Sequence, residues 1–284
     1  MQIHSKTRCE SFPLETEGGR YEVFVNLPLT YGERPEARYP VLYMVDGNLM
    51  FGNVTDAVRI AGMTRVLYPQ LQLHGAGTPE MIVVAIGYPG EDALAVARET
   101  VLRRIYDYTA RTVPGAPLQD HCLAVSPKYK FGGASAFLRM LTVDVRREIE
   151  QRFRVDAKLR LLFGGSAGGH FAAYTLLNAT DAFTHYIIAS PAIELCGEDI
   201  YDQEASYAAA HADMPVAVFM SFGTREWEGM SGIRLASGTT RFAEKLLARN
   251  YPSLRLHLRI LPDEAHEGAI QTALPRGLET LLGA

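Results

Sequence analysis

Polar and apolar positions alternate from Arg20 to Pro28, with Tyr21, Val23, Val25 and Leu27 set against Glu22, Phe24 and Asn26. That is the period of a half-exposed strand, and Gly18-Gly19 before it predicts a hairpin with the preceding segment. A different pattern follows at Val41-Leu42-Tyr43-Met44-Val45, an unbroken apolar run closed by Asp46-Gly47-Asn48. Runs of this kind are buried on both faces, as in the middle of a parallel sheet. The spacing from Asp56 to Leu73 predicts a helix interrupted by Gly62 and Pro69, and Met81 to Ile86 is a second central strand. No strong period holds over residues 87–135, which Pro89, Pro114, Pro117, Pro127 and Gly132-Gly133 punctuate. An irregular excursion of that length is read as a substrate-facing wall, with a solvent-side insertion as the alternative.

Helical spacing returns from Ala136 to Phe153. Strands are predicted at Leu159 to Phe163, Thr184 to Ser190, Val216 to Phe222 and Leu254 to Leu261, with helices after Ser166, at Arg241 to Arg249 and at Ala269 to Leu282. Strands and helices alternating in this way predict an α/β fold, a mostly parallel central sheet flanked by helices, in a single domain over residues 1–284.

Composition narrows the function classes. The chain has 284 residues, 48% of them hydrophobic, and a net charge of -4. There is no basic stripe or aromatic-basic interleaving, so neither nucleic acid nor an anionic membrane is expected as a partner. Three cysteines, Cys9, Cys122 and Cys196, are odd in number and widely spaced, which argues against a disulfide framework or a zinc site. No His/Cys/carboxylate spacing suggests a metal, and no cofactor is expected. The first ten residues hold no apolar leader, so a cytoplasmic location is the expectation. Oligomeric state is left open.

The chemistry concentrates at Gly164-Gly165-Ser166-Ala167-Gly168, which lies between an apolar strand and a small-residue helix. This is the context of a nucleophile elbow. Glycines let strand and helix approach closely, while the serine occupies a strained turn that exposes its hydroxyl. A glycine-rich βα turn is the simpler alternative. A dinucleotide fingerprint would need Gly at position 166, and a phosphate loop would need a Lys that is absent. The Ala167 N–H, at the helix start, faces the place where an oxyanion would develop. Beyond Ser166 come an acidic cluster after one strand and His266 in the loop after the last strand. Serine, acid, histidine is the chain order of an α/β-hydrolase.

Taken with three further segments, the elbow resembles the esterase D-like branch of the α/β-hydrolases, a group that includes siderophore trilactone esterases. Tyr39-Pro40-Val41-Leu42-Tyr43-Met44-Val45-Asp46-Gly47-Asn48 is similar to that family's strand and oxyanion turn, and Arg104-Ile105-Tyr106-Asp107-Tyr108-Thr109 to its Arg-x-x-Asp-x-Thr segment. Gly132-Gly133-Ala134 with Phe137-Leu138 matches the stretch before the elbow helix, and the likeness runs from Tyr21 to Leu282. One departure is Gly165, where many relatives have His. The resemblance implies Ser166 as nucleophile, His266 as base, and backbone donors at Ala167 and at Gly47 and Asn48. For the acid, Glu226 matches the family spacing, with Glu228 and Asp263 as rivals and a Ser-His dyad as a further option. Arg104 either meets an acidic or catecholate group of the substrate or pairs with Asp107. Trp227 beside the acid either lines the pocket or packs in the core.

The implied activity is hydrolysis of a carboxylic ester through an acyl-enzyme, on a small-molecule ester or lactone of some bulk. Two alternatives stand beside it. One is a thioesterase or acyltransferase, including macrolactone processing, that uses the same residues. The other is a catalytically inactive protein that binds a small molecule.

Overall fold

A strand that is buried at every position needs cover on both faces, and three strands of the sheet are of this kind. They are β3 (Tyr39–Met44), β4 (Ile82–Gly87) and β7 (Ala217–Gly223), each buried along its whole length. The remaining strands are β1 (Cys9–Thr16), β2 (Gly19–Asn26), β5 (Val155–Gly165), β6 (His185–Ala189) and β8 (Arg255–Leu261). This computed structural model describes residues 9–67, 77–90, 92–113, 120, 131–226 and 233–283. The eight strands pair in the order β1-β2-β4-β3-β5-β6-β7-β8. The pairs β1/β2 and β2/β4 are antiparallel, and every pair from β4 to β8 is parallel. The outer strands β1 and β8 are largely exposed, as edge strands with one covered face should be.

Alternate residues of each central strand feed different cores. Val41, Tyr43, Val84, Ile86, Leu162, Ile188 and Val218 belong to one cluster; Leu42, Met44, Val83, Ala85, Phe163, Ile187 and Phe219 belong to the other. Helices α1 (Gly47–Leu67) and α7 (His266–Leu282) close the second cluster. Five helical segments lie on the first. They are α2 (Ala93–Tyr108), α3 (Ala134–Arg139, continued through a π-helical stretch Met140–Val145 into Arg146–Arg152), α4 (Ala167–Asn178), α5 (Asp199–Ala210) and α6 (Leu235–Ala248). Because these neighbouring pairs are parallel, every strand from β3 to β8 ends on the same edge of the sheet.

Several boundaries differ from those the sequence predicts. Helix α1 begins at Gly47 rather than Asp56, because the Asp46 carbonyl accepts the Leu49 and Met50 N–H groups at 3.0 and 3.1 Å and the chain passes from strand to helix without a loop. Helix α2 lies inside the segment read as irregular. Its N-cap is Asp92, whose Oδ1 accepts from Leu94 and Ala95 at 2.9 and 2.8 Å. Its buried face is made of Thr100, Asp107 and Tyr108, polar residues that leave no apolar period to read. Helix α5 was hidden in the same way, since Asp199 and Glu204 are on its buried side and Glu204 is held by Arg249 at 2.8 and 2.9 Å. Residues 114–119 and 121–130 of the expected wall lie outside the described residues.

Phe137 is 1% exposed and meets the rings of Tyr21, Tyr108 and Phe171 at centroid distances of 5.6, 5.3 and 5.0 Å. It ties the hairpin, α2, α3 and α4 together. Phe137→Ala is therefore expected to cost about 3–5 kcal/mol in a urea titration, the range for emptying a well-packed aromatic site.

Candidate active site

The backbone at the end of β5 sets the geometry. Ser166 sits at φ 57°, ψ -122°, a conformation that a residue with a Cβ rarely adopts. Three hydrogen bonds hold it there: its N–H donates to Ala189 O, and its carbonyl accepts from His170 N and Ala192 N, each at 3.0 Å. The glycines around it have steric reasons. A Cβ on Gly164 would run into the Gly168 carbonyl, and one on Gly168 would stand 2.7 Å from Val45 Cγ2 and 2.8 Å from Asp46 Oδ2. At Gly165 a Cβ would stand 2.6 Å from Ile270 Cγ2. An isoleucine from α7 therefore fills the space beside position 165.

Two strand ends further along the same edge, Glu226 and His266 meet. Glu226 lies in the short 3-10 turn Thr224–Glu226 after β7, and His266 is the first residue of α7. His266 Nδ1 lies 2.5 Å from Glu226 Oε1. The second carboxylate oxygen, Oε2, accepts from Gly223 N at 2.6 Å and from Ser190 Oγ at 2.9 Å. Burial raises the Glu226 pKa, but the bonds from His266, Gly223 and Ser190 and the nearby imidazole outweigh it and hold the carboxyl below its ordinary value. Glu226 is thus a buried acceptor, 4% exposed, aimed at one imidazole nitrogen. Ile270, one helical turn after His266, is the side chain packed on Gly165, so the start of α7 lies across the elbow.

Asp263 is an exposed turn residue at φ 60° whose N–H donates to Thr224 Oγ1 at 2.8 Å. Glu228 and Trp227 lie outside the described residues. His170 is fully buried, with Nδ1 3.1 Å from Ile193 O, and burial takes its pKa down to about 4.

On the other side of Ser166 stands the turn after β3. Strands β3 and β5 pair Met44 with Phe163. That pairing puts the turn after β3 beside the end of β5, the strand that leads into Ser166. Gly47, Asn48, Ala167 and Gly168 are in the first turns of α1 and α4, where N–H groups have no partner within the helix. The Asn48 side chain is already engaged: Oδ1 accepts the Tyr88 N–H at 2.6 Å, and Nδ2 donates to Tyr88 O at 3.1 Å. Its backbone N–H, in the first turn of α1, has no partner within that helix. Arg104 does not pair with Asp107. It donates from Nε and Nη2 to the two oxygens of Asp46, both at 2.8 Å, while Arg103 approaches Asp107 at 3.5 Å. The sequence reading missed Asp46, Tyr108 and Ser190; positive φ at Asp46 and Ser190 leaves no mark in composition.

The Esterase family model matches residues 15–266. The chain belongs to that Esterase family. A curated relative, the ferri-bacillibactin esterase BesA of Bacillus subtilis, is 27% identical over 278 residues, covering 97% of this chain and 89% of its own. The siderophore enterobactin esterase of Emericella nidulans is 31% identical over 222 residues, 73% of this chain and 66% of its own. Among solved structures, the siderophore hydrolase EstA of Aspergillus nidulans superposes with a TM-score of 0.79 at 26% identity, covering 99% of this chain and 96% of that one. This Esterase-family chain is a hydrolase with the α/β-hydrolase fold. Among its described residues no group of His, Cys, Asp and Glu could hold a metal ion, and no helix is long and apolar enough to cross a membrane.

Two outcomes follow from the site's packing and charge. Gly165→His should lower the melting temperature through an overpacking cost of about 1–3 kcal/mol, and Gly165→His combined with Ile270→Ala should recover part of that loss in the same thermal scan. The depressed carboxyl of Glu226 stabilises the fold fully above its unfolded value of 4.5 and loses that contribution as pH falls through the lower folded value. The stability gap between the parent and Glu226→Gln should accordingly be widest near neutral pH and shrink in acid, measured by denaturant titration at stepped pH.

Proposed function

We propose that this chain is a serine hydrolase that opens siderophore-type esters or lactones through an acyl intermediate on Ser166. The observation that carries the reading is the buried Glu226 carboxylate bonded at 2.5 Å to Nδ1 of His266, on the same sheet edge as the strained Ser166 elbow. With Nδ1–H given to Glu226, Nε2 keeps its lone pair and can take a proton. Ser166 Oγ attacks the ester carbonyl as its proton passes to Nε2; the carbonyl π electrons move to oxygen. The Ala167 N–H and those of Gly47 and Asn48 stabilise that oxygen. Collapse expels the alcohol, which takes the proton from His266, and leaves acyl-Ser166. Water then repeats the sequence and releases the acid. Glu226 stays ionised throughout and stabilises the imidazolium.

The substrate class comes from the relatives. BesA is named for ferri-bacillibactin, the Emericella protein for enterobactin, and a relative from Aspergillus fumigatus, 34% identical over 189 residues, for triacetylfusarinine C. The last two are named as siderophore esterases and all three as esterases, and the near full-length match to BesA supports the same small-molecule class here.

A fluorophosphonate probe should add to Ser166 alone, read by peptide mass spectrometry. His266→Ala should lower kcat by at least about a thousandfold. Glu226→Gln should cost more than Asp263→Asn or Glu228→Gln, and equal small losses would favour a dyad. Corrected for intrinsic reactivity, kcat/KM for a siderophore ester should exceed that for p-nitrophenyl acetate by more than about tenfold, or about 1.4 kcal/mol.

A further inference from the structure

The turn that offers Gly47 and Asn48 begins at a residue whose backbone is strained. Asp46 has φ 60°, a region in which a non-glycine residue persists only when its surroundings hold it. Its surroundings are unusually complete. Asp46 is 1% exposed; Arg104 grips both carboxylate oxygens at 2.8 Å, in the fork geometry that suits a carboxylate. Tyr108, one helical turn further along α2, touches it twice. The Tyr108 hydroxyl donates to Asp46 Oδ1 at 3.0 Å and accepts the Asp46 N–H at 3.1 Å. Tyr108 is itself fully buried, edge-on to Phe137 and tilted against Phe171. One arginine therefore fixes the carboxylate while one hydroxyl fixes carboxylate and amide together.

The same carboxylate reaches the other half of the site. Oδ2 lies 2.8 Å from where a Cβ of residue 168 would stand, so it is packed on the first turn of α4 beside Ala167. Asp46 thus abuts both elements that offer N–H groups to the reacting carbonyl. A buried carboxylate at this place would be costly unpaired, and Arg104 meets it with two N–H bonds, one to each oxygen. Arg104 is held charged: burial lowers its pKa, and the Asp46 charge and bonds more than offset this.

We propose that Arg104 and Tyr108 are positioning residues, which through Asp46 hold the turn in its left-handed conformation and thereby aim the Gly47 and Asn48 N–H groups at the oxyanion. This assigns Arg104 a role in transition-state geometry in place of contact with an anionic part of the substrate. It rests on the proposed acyl-Ser166 mechanism.

Three properties separate this role from the others. Donors that tighten only on the tetrahedral state affect kcat and leave KM nearly unchanged. They act equally on any ester, charged or neutral. They also govern the affinity of a neutral trifluoromethyl ketone, which forms a tetrahedral adduct with the serine.

The experiment measures kcat, KM and trifluoromethyl ketone affinity for the parent, Tyr108→Phe, Arg104→Lys and Arg104→Ala, on p-nitrophenyl butyrate and on an anionic aryl ester, with melting temperatures alongside. Loss of a whole oxyanion donor costs about a hundredfold or more, so a misaimed one is expected to cost less: about tenfold in kcat for Tyr108→Phe and more for Arg104→Ala, with KM within about twofold. Ketone affinity should fall in step with kcat, equally on both substrates. Arg104→Lys, which can satisfy one oxygen, should recover part of the loss. If Arg104→Ala does not fold, Tyr108→Phe, which removes a single oxygen, decides the matter. A rise in KM confined to the anionic ester would overturn the proposal in favour of substrate contact, as would parental kcat and ketone affinity in Tyr108→Phe. Failure of the mechanism beneath it reads differently: the parent itself would neither turn over esters nor bind the ketone through Ser166.

Discussion

The closeness of strand β5 to helix α4 is the constraint on which the rest depends. Position 164 has no room for a Cβ because the Gly168 carbonyl is there, and position 168 has none because Val45 and Asp46 are there. Two glycines thus let a strand, the helix after it and the neighbouring turn share one small volume. Ser166 is lifted clear as a consequence, with its own carbonyl and N–H spent on residues 170, 189 and 192. The strain at Ser166 is offset by the large apolar clusters on both faces of the sheet, which would all have to repack for the turn to relax.

The second theme is how charge is kept inside this core. Each buried carboxylate at the active edge has its lone pairs assigned: Asp46 to Arg104 and Tyr108, Glu226 to His266, Ser190 and Gly223. Such pairs contribute little net stability compared with an apolar core, and breaking one is expensive. What they supply is direction. An apolar residue at position 46 or 226 would fill the space without fixing where a backbone N–H or an imidazole points.

How far the sequence alone goes is best seen in particular elements. The parallel strands were legible because burial on both faces leaves an unbroken apolar run, as at residues 41–45 and 81–86. The elbow was legible because glycine has few other uses between a strand and a helix. Helix α2 was not, since its buried face is built from Thr100, Asp107 and Tyr108 and pays for burial with hydrogen bonds to distant residues. The partner of Arg104 was not legible for the same reason. Sequence left it between an anionic substrate group and Asp107, whereas the acceptor it reaches is Asp46, 58 positions away. Side-chain chemistry within an element shows in sequence; the match of two polar groups across the fold does not.

The contact between Gly165 and Ile270 couples two distant parts of the chain. Residue 165 belongs to the elbow and residue 270 to the last helix, so the two are separate in the chain and joined in space. A substituent at 165 has to share its volume with the aliphatic group at 270, and it fits only as far as the start of the last helix gives way. The room beside the nucleophile is therefore set by a neighbour more than a hundred positions later in the chain.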